Sequence, residues 1–204
     1  MEEIILINGS PRAPRSNSKR YAQCFQARIK LTTKYVNLTA SNHQNIINEL
    51  DKMTDVVFVF PLYVDAIPSS LLNFLKTLEE VKLKDKPTIS VLINCGFIEY
   101  QQNDVAIEMI KLFCKQNAYE FGSVLSIGGG EAILDTPFKQ LVHYKIGLFA
   151  KSIKQRKYKK YTVTMPMTKK MYIKASTNYW VKYGRKYKVT KEQMQTLTIE
   201  ADLN

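Results

Sequence analysis

The chain is poor in the residues that carry metal or nucleophilic chemistry. Its 204 residues include two histidines, His43 and His143, and three cysteines, Cys24, Cys95 and Cys114. The cysteines are odd in number and widely separated, so they offer neither a disulfide framework nor metal-ligand spacing, nor the cluster an iron–sulfur centre needs; such usage suits a reducing cytoplasm. Neither histidine has an acid or a cysteine near it in sequence, which leaves a metal site or a catalytic triad without support. No apolar run approaches the roughly 20 residues of a membrane span. Met1-Glu2-Glu3 leads straight into a strand, so no signal peptide is expected. The dinucleotide fingerprint G-x-G-x-x-G is missing, and so is the P-loop G-x-x-x-x-G-K-[ST].

Acidic residues are missing from one long stretch. Met1 to Asp135 holds 14 Lys/Arg against 15 Asp/Glu, whereas Thr136 to Lys191 holds 16 Lys/Arg and no acid. The net charge of +12 therefore belongs to that segment. Lysines and arginines there alternate with tyrosines, a pattern that nucleic-acid binders use and that a solvated basic face also produces. Met171, Ala175, Tyr179 or Trp180, and Tyr183 recur at helical spacing. This predicts a C-terminal helix over Thr168–Tyr183 docked on the core or on a second subunit.

The remainder reads as one well-filled domain plus an accessory segment. Glu3–Ile7, Lys34–Leu38, Asp55–Phe60, Thr88–Asn94 and Val124–Ile127 are strand-like, and the first, third and fourth are apolar enough to be buried on both faces. Between them, Ser18–Lys30, Asn42–Lys52, Ser69–Glu79 and Asp104–Asn117 have helical spacing. Alternating β and α elements predict a parallel sheet with helices on both faces, and ligands at the carboxyl ends of its strands. The unusual residues sit there: Asn8-Gly9-Ser10-Pro11-Arg12 with Arg15-Ser16-Asn17-Ser18 after the first strand, Pro61 to Pro68 after the third, Asn94-Cys95-Gly96-Phe97 after the fourth and Gly128-Gly129-Gly130-Glu131 after the fifth.

The first loop runs from a strand into good helix-capping residues, an arrangement that favours a phosphate through unpaired N–H groups and the helix dipole. An ordinary βα turn with a capped helix uses the same residues. A serine-rich loop without glycine repeats suits a single phosphate monoester better than a pyrophosphate. Prolines at both ends stiffen the second loop, and the triple glycine suits either a ligand-side loop or a turn at positive φ. Cys95 reads as a small packing residue. Glu99 and Tyr100 are placed at the mouth of the site.

Gly9-Ser10-Pro11-Arg12 with Ser16-Asn17-Ser18, and Pro61-Leu62-Tyr63-Val64-Asp65 ending at Pro68, resemble the loops of flavodoxin-like NAD(P)H-dependent FMN reductases and quinone reductases. The resemblance implies an α/β, flavodoxin-like three-layer sandwich with a five-stranded parallel sheet in the order 2-1-3-4-5. Residues 1–160 would form the FMN-binding domain and 161–204 a basic C-terminal helical extension. It implies FMN as cofactor, with its phosphate on Ser10, Arg12, Ser16, Asn17 and Ser18 and its ring against Pro61, Leu62, Tyr63, Val64, Asn94, Gly96 and Phe97. It further implies NAD(P)H as co-substrate, a quinone, flavin or similar small-molecule acceptor, no dedicated catalytic acid or base, and a homodimer. A flavodoxin-like electron carrier shares the fold but is typically acidic. A nucleic-acid-associated regulatory protein would use the basic segment instead.

Overall fold

The structure, a computed structural model, describes residues 3–13 and 15–196. Six strands form one parallel sheet: β1 Glu3–Asn8, β2 Thr32–Asn37, β3 Asp55–Pro61, β4 Thr88–Asn94, β5 Phe121–Ile127 and β6 Lys160–Val163, in the spatial order β2-β1-β3-β4-β5-β6. The helices are α1 Asn17–Ile29, α2 His43–Leu50, α3 Ser69–Glu79, α4 Asp104–Gln116, α5 Lys139–Lys154, α6 Lys169–Arg185 and the short α7 Lys191–Met194.

The central strands are apolar on both faces because both faces are covered. Ile5, Ile7, Val56, Phe58, Phe60, Ile89, Val91 and Ile93 point into a core with α2, α3 and α4. The alternate residues Ile4, Leu6, Val57, Val59, Leu92 and Leu125 are equally buried. They belong to the face covered by α1 and α5, whose Tyr21, Phe25, Val142, Ile146 and Phe149 are fully buried. Phe25 and Phe149 meet with ring centroids 5.6 Å apart.

The expected sheet is corrected in one respect: it has six strands, not five. β6 adds Lys160–Val163 beside β5, with Val163 opposite Ile127. Lys-Tyr-Thr-Val lies at a sheet edge with three of its four residues at least partly exposed, so its sequence lacks the continuous apolar signature of the central strands. β2 begins two residues earlier than expected, at Thr32, and β5 three earlier, at Phe121.

The chain divides into two compact units, Met1–Met165 and Pro166–Asn204. In the second, Thr168 caps α6 by accepting the N–H of Met171. A second turn follows, in which Thr190 and Gln193 cap α7 reciprocally. Residues 197–204 of the expected extension lie outside the described residues.

Candidate functional site

β1 ends on Asn8, a fully buried amide that shapes the loop after it. Its Oδ1 accepts the N–H of Ser10 at 3.0 Å, and its Nδ2 lies 3.2 Å from Ser16 Oγ, 2.9 Å from Tyr35 Oη and 3.2 Å from Asn37 Oδ1. One side chain thus ties both ends of the loop, and β2 holds that side chain in place. A buried amide with this many partners keeps one orientation, because every alternative leaves a polar group unpaired.

Three serine hydroxyls follow from this frame. Ser10 Oγ accepts the N–H of Arg12 at 3.3 Å. Ser16 is the N-cap of α1 and accepts the N–H of Lys19 at 3.2 Å besides the amide of Asn8. Ser18 Oγ accepts from Nδ2 of the buried Asn94 at 3.4 Å. A hydroxyl that accepts from the protein keeps its own hydrogen to donate. Among the described residues none of the three has an acceptor for it. The N–H groups of Asn17 and Ser18 open α1 without intrahelical acceptors, at the positive end of the helix. All three hydroxyls line a cleft of about 160 Å³, together with the exposed Arg12, Arg15 and Glu131, Pro61 and the buried Asn94.

The loops after β4 and β5 close the back of this cleft. Gly130 donates its N–H to Cys95 O at 2.7 Å and Gly129 to Phe97 O at 2.5 Å. A Cβ on Gly130 would lie 2.7 Å from Asn94 Cβ, so only glycine lets the two loops meet around that asparagine. Tyr21 Oη donates to Gly130 O at 2.7 Å, and burial raises its phenol above the ordinary range. Asn17 Nδ2 donates to Glu131 O at 3.1 Å. Arg20 grips Asp135 with two bonds of 2.6 and 2.9 Å, and this partner holds the carboxyl of Asp135 below its usual range. Helix α1 is thereby fastened to the segment after β5.

The loop after β3 is a tight turn. Tyr63 and Ala66 exchange backbone bonds of 3.0 and 3.1 Å, and the two residues between them are left-handed, Val64 at φ 47° and Asp65 at φ 56°. Neither is glycine, and a β-branched valine in this region is strained. Val64 is 90% exposed.

Of the residues anticipated for the site, the cleft brings together Ser10, Arg12, Ser16, Asn17, Ser18, Pro61 and Asn94. Tyr63, Val64 and Phe97 stand exposed beyond its walls at the ends of β3 and β4, and Gly96 lies beside Glu131. Leu62 packs half-buried against the core of α2, α3 and α4. Asn8 and Glu131 stand in the loops that the sequence marked after β1 and β5 but were given no part in the site. Asn8 carried a signal, a polar residue ending an apolar strand; the tie of Glu131 to Asn17, 114 positions away, comes only from the fold.

The fold also gives His143 a partner that its sequence neighbours lack. Cys24 Sγ lies 3.6 Å from His143 Nε2, where α1 meets α5. Burial pushes the Cys24 thiol up and the His143 imidazole down, so the pair favours neutral thiol and neutral imidazole. His43 opens α2, with Nδ1 3.3 Å from Thr77 Oγ1 and its ring edge-on to Phe74.

No protein-family profile matches the chain, and no curated protein matches it in sequence. Solved structures match it in fold. An FMN-dependent NADH-azoreductase from Bacillus anthracis str. Ames Ancestor, in complex with FMN, aligns at a TM-score of 0.60 with 17% identity, covering 75% of this chain and 99% of that one. The NAD(P)H:quinone oxidoreductase of Methanothermobacter marburgensis aligns at 0.58 with 10% identity, over 74% and 96%. A flavodoxin of Streptococcus pneumonia TIGR4 aligns at 0.56 with 12% identity, over 76% and 99%. These likenesses establish the flavodoxin-like α/β fold. They also leave about a quarter of this chain without a counterpart in those proteins.

Proposed function

We propose that the chain binds FMN and acts as an NAD(P)H-dependent oxidoreductase toward a quinone, a flavin or a similar small acceptor. The observation that carries this reading is the set of three hydroxyls in one cleft, each accepting from the protein and each without an acceptor for its own hydrogen among the described residues. A phosphate monoester offers only acceptors at neutral pH, which suits such a donor set at a helix N-terminus. Arg12 and Arg15 supply positive charge that exceeds the opposing charge of Glu131. The solved azoreductase and quinone oxidoreductase of the same fold support the reading.

Ser10, Arg12, Ser16, Asn17 and Ser18 would hold the phosphate. Pro61 and Asn94 would meet the ring from the cleft, and Leu62, Tyr63, Val64, Gly96 and Phe97 from the loop ends beside it. Bound FMN supplies the redox chemistry, accepting hydride from a nicotinamide and passing electrons to the acceptor. The residues of this chain bind and orient. Asn8 keeps the loop in register, Ser16 fixes the first turn of α1, and Gly130 seats Asn94. A homodimer and a cytoplasmic location belong to the same proposal, with the unit that ends at Met165, which contains β6, as the cofactor domain and the unit from Pro166 as the extension.

The test is a titration of cofactor-free protein with FMN, followed by NADH and NADPH oxidation with menadione as acceptor. Quenched flavin fluorescence and menadione-dependent turnover are expected. Binding without turnover leaves an electron carrier, and no binding overturns the reading.

A further inference from the structure

Helix α6 is a cationic helix with an aromatic face, and nothing in the proposed chemistry uses it. Of its 17 residues, five are Lys or Arg and none is acidic. At about 100° per residue, Tyr172, Tyr179, Trp180 and Tyr183 fall within an arc of about 100° that also holds Lys169, while Lys170, Lys174 and Arg185 fall on the opposite side with Lys182 on its flank. The aromatic side is exposed: Tyr179 by 61%, Trp180 by 47% and, at its edge, Ile173 by 53%. The rings form a ladder. Tyr179 and Tyr183 stack 6.3 Å apart, Trp180 meets both edge-on at 5.3 and 5.8 Å, and Tyr187 continues the row 5.2 Å from Tyr183.

We propose that this helix is an interfacial anchor that lies on an anionic lipid bilayer, with its aromatic face in the headgroup region and its outer lysines facing water within reach of the bilayer's surface potential. Four observations select this occupant. The charge is of one sign, which attracts an anionic surface and repels a second copy of the same helix. Tyrosine and tryptophan have an apolar body and a polar tip, the chemistry that settles at a membrane interface, and long lysine stems let the charges reach water. Exposed Ile173, at the edge of that face, adds aliphatic surface that hydrocarbon accommodates and nucleobases do not. The rings also stack on one another rather than standing apart to receive bases, as single-stranded nucleic acid would require. The helix would lie on the bilayer rather than cross it: among the described residues no helix is long and apolar enough to span.

Trp180 is the only tryptophan in the chain, so its emission reports on this face alone. The experiment adds vesicles of phosphatidylcholine, or of phosphatidylcholine with phosphatidylserine, to the full-length protein, and includes brominated lipids as quenchers. The expected result is a blue shift and bromine quenching with the anionic vesicles only. In K170E/K174E/K182E, whose changes are confined to the solvated side, partitioning should fall at least about tenfold with the far-ultraviolet spectrum unchanged. Equal binding to both vesicle types, or no shift with either, overturns the proposal. So does an emission already blue before vesicles are added, which would show the face covered by protein. Tighter binding to a single-stranded oligonucleotide than to the anionic vesicles overturns it in favour of nucleic acid.

Discussion

Ser18 and Glu131 face the same cleft with opposite consequences for an anion. Ser18 brings a hydroxyl hydrogen that no acceptor among the described residues takes, and Glu131 brings a like charge. Replacing Ser18 by Ala removes one donor to an ionised group and should weaken FMN binding by about 1–3 kcal/mol. Replacing Glu131 by Gln removes the repulsion at a partly screened distance and should tighten binding about three- to tenfold. Fluorescence titration of the two variants reads both, and shifts of the same sign would mean that the phosphate sits elsewhere. The turn at Val64-Asp65 makes a second residue-scale case. Two left-handed residues in a two-residue turn favour Asn-Gly, and this chain has Val-Asp instead. V64N/D65G should therefore raise stability by about 1–2 kcal/mol in urea unfolding. If Val64 contacts the ring, the same variant loses flavin affinity while it gains stability. That opposition separates strain kept for binding from strain with no use.

Elements meet the site through a few ties, and the Arg20–Asp135 pair is the one that responds to pH. Its carboxyl lies below the ordinary range in the folded chain because Arg20 bonds to it. A depressed folded value contributes stability that is present above the unfolded carboxylate range and is lost as pH falls through the folded value. Both partners are well exposed, so the contribution stays below about 1 kcal/mol. Urea midpoints of the native chain and D135N should differ by a constant amount at neutral pH, converge in acid, and draw closer in high salt. A gap that persists below the folded value would assign the effect to packing. The sequence exposed the elements unevenly. β1, β3 and β4 were legible because strands buried on both faces leave few polar positions between their ends, and α3 because Pro68 and the spacing of Leu71, Phe74, Leu75 and Leu78 mark it. α5 was not among the expected helices, lysines on its outer side obscuring it, although Val142, Ile146, Phe149 and Ile153 keep helical spacing. β6 was invisible for the same reason, its apolar content being that of an edge. At the site, the loops could be read because glycine, proline and serine mark them. The tie of Asn17 to Glu131 could not, since it depends on the crossover that brings β5 next to β4.

At the scale of the whole molecule, the change in composition and the limit of the compact fold fall at different places. The acid-free stretch begins at Thr136, yet α5 and β6, both within it, are built into the first unit, which continues to Met165. β6 pairs with β5 over four residues, and Gly128 donates its N–H to Val163 O at 2.8 Å. Val163 and Met165 are buried. Two truncations should therefore behave differently although they are only five residues apart. Ending the chain after Lys160 removes the edge strand, exposes the hydrogen-bonding edge of β5 and forfeits two buried side chains, together worth about 3–6 kcal/mol of apolar burial. Against a typical total of about 5–15 kcal/mol, that loss leaves a marginal or unfolded protein. Ending it after Met165 keeps every strand and both cores. The shorter cut should give aggregated protein or a much lower urea midpoint. The longer should unfold cooperatively near the full-length midpoint and still quench flavin fluorescence. Equal behaviour of the two would mean that β6 contributes nothing to the sheet's stability. Failure of both would mean that residues 166–204 are part of what holds the first unit together.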